Sequence, residues 1–406
     1  MTRRWSARLC WWATAMTVAS HSNAGVWGTQ PVFGIAGDYA SNPALLDQQN
    51  TAEAHASLLL DAPTNYVGDA FKLSILPSFR LSNAEGYSSL DSDYEHLTVG
   101  NEFDNERGMV TVTGAVARDS SLYHDYLLNG STGVRRDTTS AEVNWDRQLS
   151  ERFEFDTDVN WTRVRYGDVA AGIGTLVDYK YTSITPSLAW LQSERGKLTA
   201  SVNVGRYNSL DGTTKSTNAN LQLGFVKQLS EIWSLTASAG YSHANDEFDT
   251  SEEFLEFAQS GPIIVIVPVT VKSHQTGSVY SVNLNRRTEL LQISVTASRQ
   301  LAPTGFAYLS RQDNYEIKAT YNESPRWVFS GAVHRTNYQL PDNSGAITDL
   351  NVTYLQLSAA WQWTEHWTLT MNASRVMDHY ASTRFGIGST GVSLELSRQF
   401  NWKSLQ

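Results

Sequence analysis

The sequence predicts an all-β fold: a transmembrane antiparallel up-and-down β-barrel of 16–18 strands, with 18 the best count, preceded by a cleaved signal peptide. Three observations predict it. Trp233 and Tyr241 share their parity with Leu235, Ala237 and Ala239, while Ser234, Thr236, Ser238, Gly240 and Ser242 take the alternate positions. Strand side chains alternate between faces, so one face is apolar and ends in a ring on both sides. Those eight steps, at roughly 3.3 Å each and a tilt of about 40°, rise roughly 20 Å, close to the apolar band of an outer-membrane barrel. Aromatic side chains favour both edges of such a band. The second observation is that connections between alternating segments are short and long in strict turn. The third is compositional: mean hydropathy is −0.34, and no apolar run after the N-terminus is long enough for a membrane helix.

Taken in order, residues 1–24 read as an export signal and residues 25–406 as the barrel. Arg3, Arg4 and Arg8 give a basic start, Leu9 to Ala19 an apolar run, and Ser22-Asn23-Ala24 a small-residue cleavage site. Cys10, the single cysteine, lies in the part removed, which suits a mature chain in an oxidising compartment. Period-2 alternation then places strands at 30–40, 51–62, 71–82, 94–103, 109–118, 139–149, 153–164, 179–191 and 197–207. It continues at 217–229, 232–243, 276–286, 290–299, 313–322, 326–337, 352–363, 367–377 and 390–402. Connections such as 105–108, 192–196 and 322–326 are short, whereas 83–93, 119–138, 165–178, 244–275, 300–312 and 338–351 are long and polar. Short turns belong to the periplasmic rim of outer-membrane barrels, and an even strand number returns both termini to that side. The hairpin Gln148-Leu149-Ser150-Glu151-Arg152-Phe153 is repeated as Gln228-Leu229-Ser230-Glu231-Ile232-Trp233. Propeller blades share that period but lack the alternation of short and long turns.

Parity assigns the faces. Leu221, Leu223 and Phe225 point to lipid against Asn218, Asn220 and Gln222; Leu355, Leu357 and Trp361 oppose Tyr354, Gln356 and Ser358. The expected aromatic girdle is Trp161, Trp233, Tyr241, Trp327, Trp361, Trp363, Trp367 and Trp402. A polar inward set and this strand number imply a water-filled lumen. Its charges lean acidic: Glu142, Asp146, Glu154, Asp156 and Asp158 form the densest group, alongside Glu53, Glu102, Glu316 and Glu395, against Lys72, Arg80, Lys197 and Lys318. Carboxylates on a pore wall favour cations or neutral sugars over anions.

A further regularity lies on the lipid-facing parity. Arg118, Arg163, Arg206, Arg299, Arg335 and Arg375 each stand eight residues into a strand, where the apolar band ends. Arginine costs little at that interface and binds phosphate in bidentate fashion. The expectation is a collar contacting lipopolysaccharide, the alternative being arginines that pair with carboxylates such as Asp119. The longest loop, 244–275, combines Asp246, Glu247, Asp249, Glu252, Glu253 and Glu256 with the apolar run 262–269. It either folds into the mouth as a constriction, or its apolar half extends the following strand above the membrane.

Net charge −10 argues against a nucleic-acid partner, which needs a basic face. His55 and Ser57 share one face of a strand without forming a triad, and no histidine falls in a metal or catalytic motif. The expectation is no enzyme, no cofactor and no metal.

The segment Phe33-Gly34-Ile35-Ala36-Gly37-Asp38-Tyr39-Ala40-Ser41-Asn42-Pro43-Ala44-Leu45, with the repeated Leu-Ser-Glu hairpins, resembles the outer-membrane β-barrel porins associated with exopolysaccharide biosynthesis and export loci. The last strand, with Phe400 and Trp402, resembles the signal read by the barrel-assembly machinery. The resemblance implies a conduit or accessory for secreted polysaccharide, with lipid, lipopolysaccharide, the polysaccharide and a periplasmic export partner as its contacts. A general or sugar/cation diffusion porin is the alternative, and a surface receptor or adhesin acting through the long loops a second one.

Overall fold

A computed structural model describes residues 25–42, 52–84, 94–120, 134–167, 176–258, 261–305, 309–341, 347–380, 387–400 and 402–403. The signal-peptide expectation therefore falls outside the described residues. The first elements are β1 (Val26–Thr29), β2 (Val32–Ala40), β3 (Glu53–Asp61), β4 (Thr64–Val67), β5 (Phe71–Ala84), β6 (Tyr94–Asn105) and β7 (Gly108–Ser120). Next come β8 (Arg135–Gln148), β9 (Phe153–Tyr166), β10 (Tyr179–Ser193), β11 (Gly196–Ser209), β12 (Thr214–Gln228), β13 (Trp233–Ala258) and β14 (Gly261–Arg287). The chain ends with β15 (Leu291–Pro303), β16 (Leu309–Ser324), β17 (Trp327–Pro341), β18 (Ile347–Gln362), β19 (Trp367–Tyr380), β20 (Ile387–Gln399) and β21 (Trp402–Lys403).

Every pairing is antiparallel, and β2 pairs with β20 from Val32↔Gln399 to Ala40↔Gly391, so the sheet closes on itself. Eighteen strands make the wall: β2, β3 and β5 to β20. All eighteen expected strands are present. The short pieces β1, β4 and β21 were not foreseen. They continue β2, β3 and β20 below breaks at Pro31, Pro63 and Phe400, and pair together at the short-turn rim. Proline removes a ladder donor, which splits a strand without ending its course. Gln30 N–H donates to Pro63 O (3.1 Å) and Phe400 N–H to Pro31 O (2.8 Å), so the ladder resumes across each break. Both ends of the described chain thus sit at one rim.

The outer face is apolar where lipid would lie. Ile35, Leu221, Leu223, Leu357, Val392 and Leu394 are each at least half exposed. A contiguous belt of this kind is untenable in water and is what a bilayer covers. At the short-turn rim Trp327 stacks on Trp361 (centroids 5.7 Å) and Trp361 on Trp363 (6.2 Å). Arg286 lies over Trp233, and Arg398 over Trp367. Tyr241, more than half exposed, and Trp161 mark the opposite edge. The side chain of Trp402 lies outside the described residues.

The expected loop 244–275 is corrected. β13 and β14 pair without interruption from Trp233↔Arg286 to Ala258↔Gly261, so this stretch is a long hairpin projecting beyond the band. Of the two expectations for it, strand extension is the one found.

Candidate functional site in the barrel lumen and mouth

Through the membrane band the inward face is polar, and its charges are not evenly spread. β8 and β9 bring the five expected carboxylates together. Asp146 and Asp156 are register partners, Asn144 Nδ2 donates to Asp156 Oδ2 (2.9 Å), and Glu142 and Asp158 sit on neighbouring rungs. Glu154 is held by Lys197 from β11 at 3.0 Å. Other inward charges form separate pairs, among them Lys72 with Glu102, His334 with Glu316 (3.5 Å), and Arg80 with Asp38 (2.6 Å). The Ser57 hydroxyl donates to Asp38 and accepts from Arg80, both at 3.1 Å. His55 instead approaches Glu53 at 3.6 Å. This serine therefore belongs to an ion pair and not to a histidine. Sequence alone does not point to the Asp38–Arg80 pair, because 42 residues separate its members and Asp38 stands within the 33–45 segment.

Toward the long-loop rim apolar clusters appear on the inward face among buried polar groups such as Asn218 and Asp246, whereas the expectation was a lumen polar along its whole height. Val164, Tyr179, Tyr207, Ala244 and Leu309 form a buried cluster, flanked by Tyr166, Tyr181 and Leu301. Tyr179 and Tyr207 stack with centroids 5.2 Å apart. The register explains how Leu309 reaches them. β14 pairs with β15 only from Arg287↔Gln292 up to Tyr280↔Arg299, and β16 pairs with β17 only as far as Arg311↔Gln339, so above these rungs the β15–β16 hairpin leaves the wall. Leu301 and Leu309 share the outward parity of Arg299 and Asp313, yet they pack on inward residues of β9, β10, β11 and β13. The hairpin end therefore lies inside the barrel. Tyr207 Oη donates to Thr304 O (3.3 Å) and Val177 N–H to Gly305 O (2.7 Å), fixing it across the mouth.

A second cluster narrows the same level. Phe248, on the inward parity of β13, packs on Leu350 and Val352 of β18 with Tyr338 and Val376. Among the described residues the constriction is thus built from Leu301, Leu309 and their neighbours and from the base of the β13–β14 hairpin at Ala244 and Phe248, while the rest of the 244–275 stretch continues as paired strand. The signal available in sequence was the apolar inward parity at strand tops, Val164, Tyr207, Leu350 and Val352. Apolar constrictions gate pores by excluding water.

The six arginines stand on the outer parity near the long-loop rim, and their partners differ. Arg118 pairs with Asp137 (2.8 Å) and Glu95 (3.5 Å). Arg299 clasps Asp313 through Nε (2.6 Å) and Nη2 (2.8 Å) and lies over Tyr280. Arg335 donates to Asn337 (3.1 Å) and is exposed, as are Arg206 and Arg375. Arg163 is half-buried, and its Nε has no hydrogen-bond partner among the described residues. Asp119 is buried against Arg136 (2.9 Å) and is not a collar partner through that contact.

No protein-family model and no curated protein matches the sequence. Among solved structures the chain is similar to OpdK of Pseudomonas aeruginosa with vanillate, at 10% identity over 92% of this chain and 99% of that one, TM-score 0.44. It is also similar to a BenF-like porin from Pseudomonas fluorescens (9% identity, 93% and 99% covered, TM-score 0.46). The ferric citrate transporter FecA gives 8% identity over 91% and 78%, with TM-score 0.48. No residue role is carried over from these proteins.

Proposed function

We propose that this chain is an outer-membrane channel of a Gram-negative bacterium, with its short-turn rim and both termini in the periplasm, and that it serves as a conduit or accessory for exported polysaccharide. The observation that carries the channel reading is the joint presence of a polar, acid-lined lumen and an apolar constriction across one mouth. A permanent structural barrel has no use for a polar lumen, and an open sieve has none for the constriction. The export reading rests on the resemblance of residues 33–45 and on a lumen wide enough for a chain of sugars. Deleting the gene while assaying secreted polysaccharide, together with single-channel recording of the purified barrel, tests both parts. Unchanged secretion would leave the channel and remove the export role.

The acidic wall of β8 and β9 favours a second reading, a diffusion porin for cations or small sugars. Reversal-potential measurements with a salt gradient separate it: a cation-selective pore with no polymer phenotype supports the porin. The outer arginines complete the reading. Arg206, Arg335 and Arg375 offer guanidinium groups to lipopolysaccharide phosphates, while Arg118, Arg163 and Arg299 shape the same ring. Replacing all six with glutamine should reduce copurifying lipopolysaccharide and raise sensitivity to detergents; unchanged lipid content would remove the collar.

A further inference from the structure

The wall opposite in character to the acidic one is neutral. Among the described residues, between Lys197 and Arg287 at the short-turn end and Asp246 at the mouth, no inward position on the six neighbouring strands β10–β15 carries a charged side chain. Amides and hydroxyls replace charge there, and they are linked in one chain. Ser238 Oγ donates to Gln222 Oε1 (3.0 Å), Gln222 Nε2 to Asn220 Oδ1 (3.3 Å), and Asn220 Nδ2 to Asn203 Oδ1 (3.2 Å). Asn218 Nδ2 donates to the same Asn203 oxygen (3.2 Å), and Tyr181 Oη donates to Asn218 Oδ1 (3.4 Å). The chain climbs from mid-lumen, where Gln222, Asn220 and Asn203 are half-buried, to Asn218, which is buried beside the constriction.

We propose that this amide ladder is a glycan track selective for uncharged sugar chains; the proposal rests on the channel reading above and names its substrate class. Each side-chain amide presents a donor and an acceptor side by side, and each sugar hydroxyl is also both. A polyol can therefore exchange places with any rung of the ladder, giving up one neutral hydrogen bond for another of similar strength. Such contacts are weak and repeated, which is what passage through a pore requires. Charged rungs would instead hold counter-ions and make binding depend on salt. The carboxylates of β8 and β9 act on the same solute from beside the track. They repel a glycan bearing uronic acids and leave an uncharged one unaffected.

The test is equilibrium binding of a neutral glucose hexamer and of a galacturonate hexamer to the detergent-solubilised full barrel, with ion conductance recorded in parallel. The neutral hexamer should bind, and the galacturonate hexamer should bind at least tenfold more weakly. Asn203→Ala with Gln222→Ala should weaken the neutral hexamer about tenfold, roughly 1.4 kcal/mol, in protein that still migrates as a folded, heat-modifiable barrel. Asp156→Asn with Asp158→Asn should raise galacturonate binding toward the neutral value. Equal or tighter binding of galacturonate by the unaltered barrel overturns the proposal, as does full affinity in the folded Asn203/Gln222 variant. Binding of neither hexamer by a barrel that conducts ions removes the track and leaves the channel. Absence of conductance even in Leu309→Ala removes both.

Discussion

Leu309→Ala is the sharpest test of how the mouth closes. Leu309 is fully buried, and its packing partners Val164, Tyr179, Tyr207 and Ala244 belong to the opposing wall. Truncating such a leucine typically costs 2–5 kcal/mol. A loss of about 3 kcal/mol borne by the closed arrangement multiplies the open-to-closed ratio by on the order of a hundred, since each 1.4 kcal/mol is a factor of ten. A channel open about 1% of the time would then be open about half of the time. Tyr207→Phe removes the 3.3 Å bond to Thr304 O, a net loss of about 1 kcal/mol, and should raise the ratio about fivefold. The assay is open probability in single-channel recordings. Leu223→Ala, on a lipid-facing residue of β12, is the control and should leave gating unchanged. If folded Leu309→Ala protein gates like the parent, the inward hairpin does not control the pore.

Acid should favour the closed mouth. Asp246 lies five residues beyond the Tyr241 that ends the apolar band, and burial holds its carboxyl above the usual carboxylate range against the hydrogen bond from Gln275 (3.1 Å). The closed form then binds the proton more tightly than a hydrated, opened one. Closure is fully supported below the ordinary carboxylate value and weakens as pH rises through it toward the raised one. Open probability should therefore increase with pH in that window, and Asp246→Asn should flatten the profile; an unaltered profile in the variant would refute the assignment. Replacing Glu142, Asp146, Glu154, Asp156 and Asp158 by their amides should shift the reversal potential in a salt gradient toward non-selectivity, and an unchanged potential would place the selective ring elsewhere. Excising 250–268 should leave conductance at its original level, because that ribbon projects from the rim; a clear increase would return it to the pore.

Strand positions and faces were legible because lipid and water impose opposite demands on odd and even side chains. The patterns around Leu221–Phe225 and Leu355–Trp361 admit one orientation, and one rung of slippage would bury Asn220 in acyl chains. The acidic cluster was legible for the same reason, since facing rungs of β8 and β9 follow from a single short turn. The mouth was not. Leu309 carries the parity of a lipid-facing residue, and nothing local states that β14 parts from β15 above Tyr280. The breaks at Pro31 and Pro63 preserve strand direction, and the short pieces beyond them fall outside the eighteen segments that alternation marks.

The ribbon beyond the rim has one more consequence. β13 loses β12 after Thr214↔Phe248, and β14 has no partner on its far side until Tyr280. Beyond the last bond on that side, from Asp249 N–H to Thr213 O (2.8 Å), neither strand has a further ladder partner among the described residues. Bare flanks of this kind recruit further strands from neighbouring molecules. Pro262 and Pro268 each delete one donor from the Ile-Val-rich member, which blunts that tendency without abolishing it.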